Sequence, residues 1–161
     1  MKRLIIIGIF ILSSALAFSQ NSLKKNEIFV ELGGNGLLGS INYNRQISKK
    51  PGLGIRAGVG SYGIEFPTIP VGINYLIPLI KNHSFLDLSL GATYTKADVQ
   101  LYVLVKRDPN YVQKYQSVYF VPSLGTRAYT TKNFVWHFNA TPVFTQYGLI
   151  PWVGFGFGKR F

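Results

Sequence analysis

Cysteine is absent from all 161 residues, so no disulfide can staple the fold and no lipid-carrying cysteine can anchor it. Histidine occurs only at His83 and His137. Two distant histidines without a thiolate do not make a metal ligand set. Acids are scarce, with 6 Asp and Glu against 17 Lys and Arg. After residue 20 no stretch carries a sustained helical period, which argues against a helical domain. The glycines make no phosphate-binding loop either, because Gly154, Gly156 and Gly158 alternate along an extended segment with no helix after it.

What is present begins with an export signature. Lys2 and Arg3 precede an apolar run over residues 4–12, broken only by Gly8, and Ala15-Leu16-Ala17 and Ala17-Phe18-Ser19 each offer a small-x-small cleavage site. This is the layout of a signal peptide over residues 1–19. The apolar stretch of residues 4–18 has 15 residues, short of the roughly 20 that a membrane-spanning helix needs. Residues 20–161 then form one domain. Without Lys2 and Arg3 it keeps 15 of the 17 basic residues against all 6 acids. That balance alone would suit nucleic acid, but export excludes such a partner. Arg45, Lys49, Lys50, Lys81 and Lys132 sit at or beside expected turns, and Lys96, Lys106, Arg107 and Lys114 in one long loop. This placement suits anionic lipid headgroups or lipopolysaccharide phosphates, or equally a solvated rim.

The domain alternates in character with period two. Over residues 40–47, Ser40, Asn42, Asn44 and Gln46 oppose Ile41, Tyr43 and Ile47; over 84–95, Leu86, Leu88, Leu90, Ala92 and Tyr94 oppose Asp87, Ser89, Gly91 and Thr93. Such alternation marks strands with one apolar and one polar face. Eight are expected, near residues 27–35, 38–47, 53–62, 66–76, 84–95, 115–129, 133–144 and 150–161. Compact turns at 48–52, 78–83 and 130–132 alternate with a tight Asn35-Gly36 turn, a 62–65 loop, a long 96–114 loop and a turn at 146–148. The fold class is all-β: an eight-stranded antiparallel up-and-down transmembrane β-barrel, short turns facing the periplasm and longer loops outside.

The polar faces decide which side meets lipid. They are rich in glycine, including Gly58, Gly60, Gly72, Gly91 and Gly125, which suits a narrow interior better than a solvent-facing strand surface. Aromatics gather near strand ends: Tyr75, Phe134, Trp136 and Phe161 toward the short turns, Phe66, Tyr94, Phe144 and Trp152 toward the loops. Aromatic belts of this kind mark headgroup levels. A soluble periplasmic barrel holding a ligand is the inverted alternative.

The final segment, Trp152-Val153-Gly154-Phe155-Gly156-Phe157-Gly158-Lys159-Arg160-Phe161, resembles the last strand of the small outer-membrane β-barrel proteins, the superfamily that includes the OmpA and OmpX types. Phe29-Val30-Glu31-Leu32-Gly33-Gly34-Asn35-Gly36, followed by Ser40-Ile41-Asn42-Tyr43, resembles the first hairpin of uncharacterised barrels of this class. The resemblance covers the whole mature chain and implies the bacterial outer membrane as location. It also implies that Phe155, Phe157 and Phe161 form the signal read by the outer-membrane assembly machinery. Lys159 departs from that pattern, because an aromatic is usual there, though a lysine at the membrane edge can snorkel to the interface.

Glu31, Arg56, Asp87, Arg127 and Arg160 fall on the interior register, where they form either a structural ion-pair network or the selectivity site of a narrow pore. Unpaired buried charges are costly and eight strands leave little room for water, which favours the filled lumen. Catalysis needs a nucleophile, a base and an orienting group; no serine stands two residues from His137, so no enzyme activity and no cofactor are expected. Surface interaction falls to the long loop, with Tyr102, Lys106, Arg107 and Tyr111 as its candidate contacts.

Overall fold

The computed structural model describes residues 24–48, 52–63, 65–80, 83–97, 99, 117–146 and 148–161. The segment expected as a signal peptide lies outside them, as do Tyr102, Lys106, Arg107 and Tyr111 of the long loop. The described chain runs β1 (Asn26–Gly33), a 3-10 turn η1 (Gly34–Gly36), β2 (Gly39–Gln46), β3 (Leu53–Tyr62), β4 (Phe66–Ile80), β5 (Ser84–Thr95), β6 (Val118–Tyr129), β7 (Phe134–Ala140), β8 (Val143–Thr145), β9 (Gly148–Ile150) and β10 (Val153–Arg160). Each strand pairs antiparallel with its neighbours. The order β5-β4-β3-β2-β1-β10-β7-β6 is closed by the β5–β6 ladder.

The ten strands make eight staves. Thr141-Pro142 separates β7 from β8, and Pro151-Trp152 separates β9 from β10. Proline has no N–H to give to a ladder, so pairing lapses at both places and resumes in the same register beyond them. Phe120 faces Phe144 four residues past the Leu124–Ala140 pair. The two kinks lie side by side, and Thr141 N donates to Trp152 O across them (2.8 Å). The eight expected segments correspond to these eight staves.

Three features differ from the expectation. The stave expected to end at residue 76 continues to Ile80, so Pro78 belongs to a strand; the register shifts between Pro78 and Ile80. Pro70 interrupts the β3–β4 ladder, which lacks partners between the Ala57–Val71 and Gly60–Thr68 pairs. The largest change concerns Asn35-Gly36. Instead of a tight external turn, the chain folds inward as η1, with Gly34, Asn35 and Gly36 all buried. Gly33 (φ 71°) and Gly34 (φ 65°) take left-handed backbone to do so, a conformation glycine adopts without steric cost.

The faces are inverted relative to a soluble protein. Among the described residues, Glu27, Glu31, Asn42, Asn44, Asp87, Arg127, His137 and Asn139 are buried, while Ile41, Ile55, Val59, Leu90, Leu124, Phe138 and Val153 are exposed. Exposed large apolar residues run around the whole outside, far beyond the few hundred Å² of contiguous apolar surface usual on a soluble monomer. Tyr75, Phe134 and Trp136 are exposed toward the short turns, and Phe66, Tyr94 and Phe144 toward the loops. Trp152 departs from the expected outer ring. It is half-buried against an interior cluster, and its Nε1 donates to Leu37 O (2.9 Å).

Candidate functional site

Among the described residues, buried polar and charged side chains converge in the interior, and alternation puts them there. In β1, Glu27, Phe29 and Glu31 take the inward positions while Ile28, Val30 and Leu32 face out. Toward the short turns, Leu76, Phe85, Tyr129 and Val135 form an apolar floor. Above it lies a charged layer centred on Arg127, a residue only 1% exposed. Its Nε and Nη2 both donate to Asp87 Oδ2 (3.0 and 2.6 Å), and its Nη1 donates to Glu27 Oε2 (3.2 Å). Tyr129 OH donates to the same Glu27 oxygen (3.0 Å), and Ser89 Oγ donates to Asp87 Oδ1 (3.1 Å). Glu27 Oε1 meets His137 Nε2 at 2.5 Å.

A second pair stands two inward positions along β1, past Phe29. Arg56 holds Glu31 through both terminal nitrogens, Nη2 to Oε2 at 2.7 Å and Nη1 to Oε1 at 3.3 Å; such a fork adds geometric specificity to charge. Phe29 separates the two layers. The His137 ring stacks on it (4.4 Å between centres, 18° between planes), and the Arg56 guanidinium lies 5.3 Å from its centre. Each buried charge therefore meets an opposite one, which offsets the desolvation cost that an isolated ion would carry.

Next comes η1, held on several sides. Thr93 Oγ1 donates to Asn35 O, Asn35 Nδ2 donates to Val71 O (3.4 Å), and Thr68 Oγ1 donates to Gly36 O (3.1 Å). Glycines leave room for it: a Cβ on Gly91 would run into the Asn35 amide, and one on Gly154 would stand 2.7 Å from Gly34 Cα. An apolar cap of Leu37, Val99, Tyr119, Val121, Val143 and Ile150 closes the loop end. There Tyr119 OH donates to Ala97 O (2.8 Å) and accepts from Val99 N (3.2 Å). Floor, charged layers, inserted turn and cap follow one another along the lumen.

Of the five interior residues singled out in the sequence, Glu31 is brought onto Arg56 and Asp87 onto Arg127. Arg160 is not joined to either pair; its guanidinium lies over the Tyr129 ring, 4.2 Å from the centre. Glu27 and His137 belong to the charged layer and were not among the five. Glu27 shares the parity of Glu31 along β1, and that signal was available. On β10, Phe155 and Phe157 face outward and Phe161 is half-buried.

No protein-family model and no curated protein matches the sequence. Two solved structures are similar in backbone. The N-terminal β-barrel domain of Pseudomonas aeruginosa OprF superposes with a TM-score of 0.58 at 13% identity, covering 85% of this chain and 96% of that one. The Yersinia pestis outer membrane protein Ail superposes with a TM-score of 0.52 at 12% identity, covering 86% of this chain and 100% of that one. At such identities the likeness is one of fold.

Proposed function

We propose that this chain, with the fold of the small outer-membrane barrels, resides in a bacterial outer membrane as a sealed barrel. Its role is then structural, or one of surface interaction through its outer loops. The single observation that carries this reading is the combination of an apolar exterior with an ion-paired interior plugged by η1. The exterior needs lipid to cover it. Among the described residues, ion pairs, η1 and two apolar clusters lie in the interior, so a narrow pore would require η1 and the cap to withdraw. A soluble ligand-binding barrel is disfavoured by the same two faces. Lipid is the first partner of such a barrel, and the assembly machinery that inserts it is the second, with outward Phe155 and Phe157 on β10 as residues for that machinery to read.

A non-catalytic role agrees with the interior chemistry. His137 Nε2 is engaged by Glu27, and its Nδ1 has no hydrogen-bond partner among the described residues, so no hydroxyl nucleophile is activated there. Planar-bilayer recording of the purified protein tests the sealed state. Silence at applied voltage is expected; reproducible single-channel steps would favour the pore.

A further inference from the structure

Closing the barrel sorts the charges by end. Lys24, Lys25, Arg45, Lys132, Lys159 and Arg160 all come to the rim where the ends of the described chain meet the short turns. Lys49, Lys50 and Lys81 belong by chain position to turns at that same end. No acid shares it. Glu27, Glu31 and Asp87 lie in the lumen, Glu65 lies in the β3–β4 connection at the opposite end, and Asp98 and Asp108 belong by chain position to the β5–β6 connection there. In sequence the six described cations are scattered over more than a hundred positions; folded, they share one rim.

Two of them occupy a specific place on the outer wall. Arg45 on β2 and Lys159 on β10 are exposed and continue the outward rows of Ile41 and Tyr43 and of Phe155 and Phe157. Only β1 stands between their strands, with Asn26 paired to Arg45 and Ile28 to Lys159. Tyr43 OH donates to Asn26 Oδ1 (2.7 Å). The Lys159 Nζ lies 5.7 Å from the centre of the Phe134 ring, and Trp136 packs on Phe157 at 4.4 Å. Arg45 stands one outward position past Tyr43 and Lys159 one past Phe157, each about 7 Å nearer the rim, and Lys159 is level with Phe134 on the neighbouring strand. Aromatics and cations at such a belt suit the headgroup level of a bilayer. None of the described rim cations forms an ion pair with a described residue of this chain.

We propose that the wall patch of Arg45 and Lys159, with Lys132 on the adjoining β6–β7 turn, framed by Tyr43, Phe134 and Trp136, binds the phosphate of anionic glycerophospholipids in the leaflet on the short-turn side. The patch continues the apolar belt, so its ligand approaches along the wall within the membrane. A polyanion in the aqueous phase would meet the rim from below instead. By contrast, the connections at the loop end hold four basic residues against three acids, close to balance. The barrel therefore carries its net positive charge toward the short-turn leaflet. This inference rests on the membrane reading above.

Trp136 reports on the patch from within it. In a Trp152→Phe background it is the only tryptophan left of two. The full chain is folded into phosphatidylcholine vesicles containing either brominated phosphatidylglycerol or brominated phosphatidylcholine, and Trp136 quenching is compared. At low salt, phosphatidylglycerol is expected to associate about fivefold more strongly. The preference should fall toward one at high salt, and in a variant combining Arg45→Gln, Lys132→Gln and Lys159→Gln whose heat-dependent gel shift shows it folded. Equal quenching by both lipids in the inserted protein overturns the proposal, as does a preference that survives the triple substitution. If there is no preference but inositol hexakisphosphate binds the protein in pure phosphatidylcholine vesicles, the rim serves an aqueous polyanion and the lipid assignment is wrong. If neither brominated lipid quenches and no gel shift is seen, the membrane reading itself has failed.

Discussion

Arg127 reaches two acids from separate strands, so its removal leaves both Glu27 and Asp87 without their cation. Breaking a buried pair by deleting one partner costs about 3–5 kcal/mol. Arg127→Ala is therefore expected to lower the thermal midpoint in detergent more than Arg56→Ala, which strands only Glu31. Negligible shifts in both variants would mean that the interior network contributes nothing to holding the barrel, and equal losses would contradict the ranking. Adding Asp87→Asn to Arg127→Ala should recover part of the loss, because one orphaned charge is then removed. Alternation along each strand showed which residues face inward. It could not show which partners meet across the lumen, since that depends on how the eight staves close. The parity of Glu27 was readable, but its place at the start of the first strand hid its contact with Arg127, a hundred residues away.

At the scale of the element, η1 distinguishes this barrel from a plain meander of hairpins. Its entry depends on left-handed backbone at Gly33 and Gly34 and on bare walls at Gly91 and Gly154. Gly34→Ala would combine a disfavoured φ with a collision against the Glu31 carboxylate. Overpacking of this kind costs typically about 1–3 kcal/mol, and strain at positive φ adds to it. The variant is expected to unfold at lower temperature than Gly63→Ala; that change also meets positive φ, but its Cβ enters open space. If the two are equally destabilised, backbone strain alone explains the loss and η1 is not tightly seated. Thr93→Val removes a hydroxyl donated to η1 and should cost about 0.5–1.5 kcal/mol in the same assay. Turn chemistry at Asn35-Gly36 marked a reversal of the chain. Whether that reversal folds out or in depends on the space left by glycines on distant strands, which no local pattern reveals. The kinks at Pro142 and Pro151 are likewise visible as prolines, whereas their lateral pairing through Thr141 and Trp152 appears only once the barrel is closed.

At the scale of the whole molecule, the strand count and the inverted faces were legible because both follow from period-two alternation and from where large and small residues fall. The sorting of charge between the two ends was not. Basic residues in separate turns read as dispersed along the chain, and antiparallel strands bring every second connection to the same rim. Closure through the β5–β6 ladder also leaves the order β5-β4-β3-β2-β1-β10-β7-β6 without a sheet edge, which would otherwise invite further pairing. The membrane-embedded closed barrel is tested most directly by gel migration of the outer-membrane fraction, with heated and unheated samples side by side. Recovery in that fraction, with faster migration before heating, is the result expected of a closed barrel that detergent does not open. Recovery in the soluble periplasm, with no shift on heating, would contradict it.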